Sequence, residues 1–576
     1  MMTKWAGQLD KDNVLMEYPR PQMCRSSYIN LNGLWSYAIV RGKGIPDKPD
    51  GEILVPFSPE CALSGVMRKV TPEDTLWYMR SFILPEDFNI GRVLLHFGAV
   101  DQIATVYLNG IELCTHTGGY TPFSIDITRE LKEENQLIIK VKDLTDTSHH
   151  TRGKQKTRKG GIWYTPQSGI WQTVWMESVP EEYISGLRIT PLYDEEAVEI
   201  TVFSHVERPC TARVGMVVAE GDTNVPMRMS MQGFSPWTPE NPYLYDFSVS
   251  MGEDRVESYF GMRKFELKED EAGIKRFFLN GAPCFHNGVL DQGYWPDGLY
   301  TPASDEAMAA DISAMKELGF NMLRKHIKIE PLRWYYHCDR LGMLVWQDMV
   351  NGGGKYDSLT VTAPLFTGAK IKDDKYGRFS RSDEEGREQF KRELDEMIAH
   401  LYNCVSIAVW VPFNEGWGQF DAAEITERVR SMDPTRLIDH ASGWHDQGAG
   451  DIYSRHVYFR HFRFKADDKG RAAALTECGG YSLRLEGSGE VQKEFGYKKL
   501  KSREELMEAY RRLYEQEIIP AIPKGLSGVV YTKLSDVEGE TNGLLTYDRE
   551  MLKVDGERVR EINRRLTFAP QGERES

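Results

Sequence analysis

Apolar and polar residues alternate with a period of two through the first half of the chain and change to helical spacing after about residue 280. Between Leu76 and Val179 the runs Tyr78 to Leu84, Val93 to Phe97, Ile103 to Leu108 and Leu137 to Val141 predict short strands. Asn109-Gly110 falls between Thr105-Val106-Tyr107-Leu108 and Ile111-Glu112-Leu113, and predicts a tight hairpin because both residues tolerate a left-handed backbone. This region reads as a β-sandwich. A second set of alternating runs follows: Val198 to Phe203, Ala212 to Ala219 and Leu244 to Ser250, with the turn Ser235-Pro236-Trp237-Thr238-Pro239 between the last two. Its length and rhythm suit an immunoglobulin-like sandwich.

Beyond Asn280-Gly281, apolar runs alternate with amphipathic helices over Ser304 to Leu318, Pro331 to Leu341, Asp383 to Leu401 and Arg503 to Ile518. Strands are expected at Phe285-His286, Asn321 to Arg324, Leu344 to Trp346, Ile407 to Val411, Arg436 to Asp439, Ile452 to His456, Ala472 to Thr476 and Gly528 to Thr532. Eight such steps predict a (β/α)8 TIM barrel. The expected domains are therefore 1–180, 181–268 and 269–576.

Barrel enzymes collect their chemistry at the C-terminal ends of the strands. That rule selects Asp291, His326, Asp348, Asn414, Glu415, His456, Tyr458, Glu477 and Tyr531. Glu415 stands in Trp410-Val411-Pro412-Phe413-Asn414-Glu415-Gly416-Trp417, where apolar walls raise a carboxyl toward the range a general acid needs. Glu477 ends another apolar run, and two carboxyls meeting at one barrel mouth suggest glycoside hydrolysis. Arg324, inside the second strand, reads as a strut that orders the carboxylates.

Composition narrows the partners. The net charge of -15 repels nucleic acid and anionic membranes, and favours a neutral small-molecule substrate. No apolar run is long enough to span a bilayer, and eight scattered cysteines without a CxxC pair suit reduced thiols, so a cytoplasmic setting is expected. His440 with His445 and His456 with His461 lie on strand ends rather than one helix face, so no metal is expected. Neither GxSxG nor a complete GxGxxG or Walker loop occurs, which argues against serine hydrolase, dinucleotide and P-loop chemistry; no cofactor is expected.

The chain resembles glycoside hydrolase family 2. The resemblance is carried in order by Gly160-Gly161-Ile162-Trp163, Ser168-Gly169-Ile170-Trp171-Gln172, Phe260-Gly261-Met262-Arg263, Leu279-Asn280-Gly281 and Asn414-Glu415. It implies an N-terminal jelly-roll β-sandwich, an immunoglobulin-like β-sandwich and a C-terminal TIM barrel. It also implies a retaining exo-β-glycosidase in which Glu415 is the acid/base and Glu477 the nucleophile. Asn414 matches the family residue that bonds the sugar 2-hydroxyl, Tyr458 would donate to Glu477, and His326, Asp348 and Tyr531 match positions around the sugar, where the strand-end rule also puts Asp291. Where family glucuronidases carry an Asn-x-Lys motif this chain has Glu540-Thr541-Asn542-Gly543-Leu544, and Glu540 would repel a uronate. A β-galactosidase-like activity is expected, chiefly as the family's commonest; arabinosides, xylosides, glucosides and fucosides follow, then glucuronides. A transglycosylase and an inactive carbohydrate-binding protein are the other readings. Members are often oligomers, so self-assembly is also implied.

Overall fold

Three units follow one another along the chain in the computed structural model, which describes residues 1–42, 44–485 and 494–568. The first is a jelly roll of two antiparallel sheets, one of six strands between Gly33 and Lys142 and one of four that ends at Val174–Val179. Trp35, Leu76, Tyr78, Leu95, Phe97, Val106 and Ile139 fill the space between them. Asn109 and Gly110 have φ of 54° and 84°, so the hairpin turns where expected and Leu108 pairs with Ile111. The second unit packs a three-stranded sheet (Gly186–Leu192, Ala197–Phe203, Met227–Ser230) on a four-stranded one running from Pro209–Val214 to Asp254–Phe260. Their core is Ile189, Ile200, Phe247, Val249 and Val256.

The third unit is a parallel barrel: β1 His286–Asp291, β2 Met322–Lys325, β3 Leu344–Asp348, β4 Ile407–Val411, β5 Leu437–Ile438, β6 Ile452–Val457, β7 Ala472–Gly479 and β8 Leu526–Thr532. The ladder runs β5-β4-β3-β2-β1-β8-β7-β6. Its seam is joined by the Asp451 amide donating to Ile438 O at 2.8 Å and the Ile438 amide donating to the Asp451 carboxylate at 2.9 Å. Eight full β/α steps were expected, but the connections 439–451 and 458–471 carry no helix. The first is broken by Gly443, Gly448 and Gly450 and offers no apolar stripe for a helix to bury. Where helices do form, their ends are written locally. Asp383 caps Glu384–Leu401 by accepting from the Glu385 amide, and Phe390, Leu394, Met397, Ile398 and Leu401 recur on the buried face.

Pleat alternation assigns each barrel side chain to a layer. Leu290, Met322, Trp346, Val409, Val411, Ala474 and Val530 point inward. Val289, Leu323, Val345, Trp410, Leu475, Val529 and Tyr531 face the helices. A hairpin of Phe265–Glu269 and Lys275–Leu279 closes the floor, with the Phe277 ring 4.7 Å from His286 and 5.9 Å from Trp346. The opposite, C-terminal end is left for chemistry.

One buried ion cluster ties the chain's start to both sandwiches. Glu177, in the last jelly-roll strand, accepts from Arg20 Nη2 at 2.6 Å, Arg25 Nη1 at 3.0 Å and Trp175 Nε1 at 3.1 Å. Arg25 Nη2 also donates to Asp254 in the second sandwich at 2.8 Å. Burial alone would raise the Glu177 carboxyl, but the guanidiniums hold it well below its ordinary 4.5. Its contribution to stability is therefore complete above pH 4.5 and decays as pH falls further. Glu177→Gln leaves the buried Arg25 and the half-buried Arg20 short of a counter-charge and should cost about 3 kcal/mol. Differential scanning calorimetry should show a lowered transition at pH 7 and a gap from wild type that narrows in acid; a gap independent of pH would contradict the assignment.

Candidate active site

Arg324 on β2 lies at the centre of the barrel mouth, fully buried. A guanidinium there must satisfy five N–H donors. Nε and Nη2 donate to the two oxygens of Asp348 at 2.9 and 3.0 Å, and Nη2 also to Asn414 Oδ1 at 2.7 Å. Nη1 donates to Thr476 O at 3.1 Å and to Glu477 Oε1 at 3.3 Å. Because arginine only donates, Asn414 must turn its oxygen to Arg324, which aims its amide Nδ2 into the mouth, without a partner among the described residues. His326 Nδ1 lies 2.6 Å from Asp348 Oδ2, and burial, reinforced by Lys154 and Arg324, holds the imidazole neutral, well below its ordinary pKa. Its Nε2 is buried and likewise has no partner among the described residues. With Nδ1 donating to Asp348, Nε2 is an acceptor for a sugar hydroxyl.

The two glutamates meet across this mouth. One oxygen from each of Glu415 and Glu477, with a ring nitrogen of His456, all lie within 4.8 Å of one another. Retaining glycosidases need carboxyls about 5 to 5.5 Å apart. His456 Nδ1 is 2.9 Å from Glu415 Oε1 and 3.5 Å from Glu477 Oε2, and Ser442 Oγ lies 3.1 Å from its Nε2. These atoms have the spacing of metal ligands, yet each already takes part in hydrogen bonds that account for the arrangement. Tyr458 donates to Glu477 Oε2 and shares a 2.9 Å contact with Thr532 Oγ1. Burial, together with the charge of Glu477, raises the Glu415 carboxyl, and the hydrogen bond from His456 opposes the rise. Glu477 accepts instead from a guanidinium and a phenol.

Glu477 owes its direction to a bulge. Leu475 pairs with Val529 and Cys478 with Tyr531, so three steps of β7 oppose two of β8. Thr476 and Glu477 then both face inward, where unbroken alternation from Leu475 would send one of them to the helices.

The same alternation corrects two expectations. Asp291 and Tyr531 end their strands as outward positions. Asp291 accepts from Lys325 Nζ at 2.6 Å in a cluster with Glu330, and Tyr531 packs 5.2 Å from the Tyr510 ring on the helix Arg503–Arg512. Neither reaches the carboxylates. Trp410 is likewise turned outward, donating to Asp433 at 2.9 Å, and Trp417 is the indole that walls the mouth. Asn414, Glu415, Glu477, His326, Asp348 and Tyr458 do converge.

The jelly roll supplies a roof that sequence reasoning missed, although the basic run Arg152-Gly153-Lys154-Gln155-Lys156 marked the place. Lys154 is buried, its Nζ 5.4 Å from the Trp417 ring and close enough to act electrostatically on Glu415, His326 and Glu540. Among the described residues it has no hydrogen-bond or ion-pair partner through its side chain. Glu540, expected to confront the sugar, accepts instead from Lys533 Nζ at 2.9 Å, Asn542 Nδ2 at 3.0 Å and the Tyr164 hydroxyl. Burial would raise its carboxyl, but Lys533 and Lys154 hold it down to about 2. Outside Glu415 a cleft of about 490 Å³ opens, lined by Lys156, Trp163, Tyr356, Trp417, Trp444 and Tyr497 among others. A second cavity of about 260 Å³ between jelly roll and barrel, bounded by His96, Trp175 and Arg333, contains none of these groups.

Comparison with known proteins finds the same three parts in the same order. Residues 65–171 match the glycosyl hydrolase 2 galactose-binding domain-like family, 183–263 the glycosyl hydrolases family 2 domain, and 274–473 the glycosyl hydrolases family 2 TIM barrel domain. A beta-galactosidase of Thermoanaerobacter pseudethanolicus is 25% identical over 390 residues, covering 62% of this chain and 47% of that protein. A beta-glucuronidase of Formosa agariphila is 26% identical over 409 residues, covering 62% of this chain and 38% of that protein. The chain thus spans about half or less of the length of these curated relatives. Among solved structures, a beta-glucuronidase from an uncultured Clostridium sp. superposes with a TM-score of 0.72 at 19% identity, over 94% of this chain and 99% of that one. A GH2 beta-galacturonidase from Eisenbergiella tayi bound to galacturonate gives a TM-score of 0.72 at 19% identity, over 95% and 99%. These two establish the fold.

The layer assignment is testable with two tyrosines. Tyr458→Phe removes a donor to Glu477 and should lower kcat/KM about 100-fold or more, whereas Tyr531→Phe should stay within roughly threefold of wild type. Equal losses on a nitrophenyl glycoside would refute it.

Proposed function

Because the chain belongs to glycoside hydrolase family 2, we propose that it is a retaining exo-β-glycosidase working by double displacement. The observation that carries this is the approach of Glu415 and Glu477 within 4.8 Å around His456. Glu477 attacks the anomeric carbon while Glu415 gives its proton to the departing oxygen, and the C–O bond to the aglycone breaks. Glu415, now a carboxylate, takes a proton from water, which attacks the glycosyl ester and releases Glu477 with net retention. Arg324 and Tyr458 stabilise Glu477 before attack and as it leaves. The free Asn414 Nδ2 is placed to donate to the 2-hydroxyl, and His326 Nε2 to accept from a neighbouring hydroxyl.

For the sugar itself the observations favour an acidic glycone, a glucuronide or galacturonide, over the galactoside expected from sequence. Repulsion by Glu540 was the ground for disfavouring uronates, and that carboxylate is neutralised by Lys533. Lys154 adds a second buried cation near Glu540 beside Lys533, and a substrate carboxylate would balance the excess positive charge. A neutral β-galactoside is the second reading, supported by the galactosidases among the relatives.

Glu477→Ala should abolish turnover of every substrate, by about 10⁴-fold or more. Glu415→Ala should spare the first step for activated leaving groups and be partly rescued by azide; unchanged rates in either variant would reject the assignment. The alkaline limb of kcat/KM should follow loss of the Glu415 proton, at a pKa above the ordinary 4.5, and vanish in Glu415→Gln. A panel of aryl glycosides compared in wild type and Lys154→Met decides the glycone. Turnover of uronides should fall roughly 10- to 100-fold in the variant, and equal losses on uronides and galactosides would exclude the acidic reading.

A further inference from the structure

The cleft outside Glu415 receives the leaving group, because the carboxyl that protonates the departing oxygen forms part of its wall. Its surface is largely aromatic. Trp163 and Trp417 lie 5.3 Å apart between ring centres, and Tyr356 is stacked 5.8 Å from Trp163. At the lip, Phe366 and Phe459 stack 5.4 Å apart while remaining 63% and 55% exposed. Isolated apolar residues on a surface are ordinary, but a stacked exposed pair continuous with a catalytic acid is a binding feature. Ile162, Val361 and Leu365 fill the remaining wall.

Polar side chains are few there. Besides Glu415, the described lining offers Lys156, Ser358, Thr362 and the hydroxyls of Tyr356 and Tyr497; the Tyr356 hydroxyl is already hydrogen-bonded to Asn351 and Gly352, and the Lys156 ammonium sits 3.8 Å over the Trp163 ring. Trp444, also in the lining, has a buried Nε1 without a partner among the described residues. A pyranose leaving group brings several hydroxyls, and each one removed from water without a partner is costly. A flat apolar ring has no such demand and gains from stacking on indole faces.

We propose that the preferred aglycone is a planar aromatic group held against Trp163 and Trp417, so that the natural substrates are aryl or arylalkyl glycosides rather than oligosaccharides. This rests on the glycosidase reading above and adds the chemical class of the group released. Phenols are also better leaving groups than sugars, so the test must hold leaving-group basicity constant. Benzyl and methyl β-glycosides of the same glycone do so. Benzyl should exceed methyl in kcat/KM roughly 30-fold and exceed the corresponding disaccharide, and the benzyl-to-methyl ratio should drop toward one in Phe366→Ser and Trp163→Ala. A ratio near one in wild type, or a faster disaccharide, would overturn the proposal. Absence of turnover on every glycoside would instead strike the glycosidase reading, and then a binding arm decides the cleft: benzyl alcohol should quench tryptophan fluorescence at far lower concentration than glucose, and parity between them would overturn the proposal.

Discussion

A guanidinium sealed inside a barrel is tolerable only if every one of its hydrogens is used, and at Arg324 the groups that use them are those of the active site. They come from β3, β4 and β7 around the barrel and are joined only by its closure. Satisfying the cation and assembling the catalytic groups are therefore one physical problem. The consequence reaches past position: Arg324 fixes which end of the Asn414 amide faces substrate, and through Asp348 it fixes the tautomer of His326.

Charge around this centre is divided between the domains. The barrel contributes the carboxylates, Arg324 and Lys533, while the jelly roll contributes Lys154, Lys156, Trp163 and Tyr164. A chain with a net charge of -15 thus presents a locally cationic, aromatic roof over two acids. Low dielectric makes each of those charges count for more than it would in water. Burial is what lifts Glu415 toward the protonated state, and nearby cations are what keep Glu540 ionised at little electrostatic cost to the site.

Periodicity made the framework readable. Eight strand positions, the Asn109-Gly110 hairpin and the main helices follow from apolar spacing and local caps, because each is decided within a few residues. The layer a side chain faces is also local, and applying the pleat consistently from Val289 or Val529 would have removed Asp291 and Tyr531 from the site. Three things were not local. The β7 bulge depends on register with β8, the place of His456 between the acids depends on how β6 meets the rest of the barrel, and the reach of Lys154 depends on how the jelly roll docks. Glu540 was legible as a residue but not as a charge, since its pairing with the nearby Lys533 depends on the segment after β8 folding back on itself.

The bulge has an evolutionary corollary. If Thr476 or Glu477 were lost from β7, Leu475 and Cys478 could resume plain pairing with β8 and the barrel would close as before. Such a deletion would restore the pairing yet strip the buried Arg324 of an acceptor, so it would be fatal to chemistry and costly to stability as well. The extra residue thus answers to Arg324 as much as to the substrate, so lineages of this barrel that abandon catalysis should regularise that strand only where they also replace Arg324.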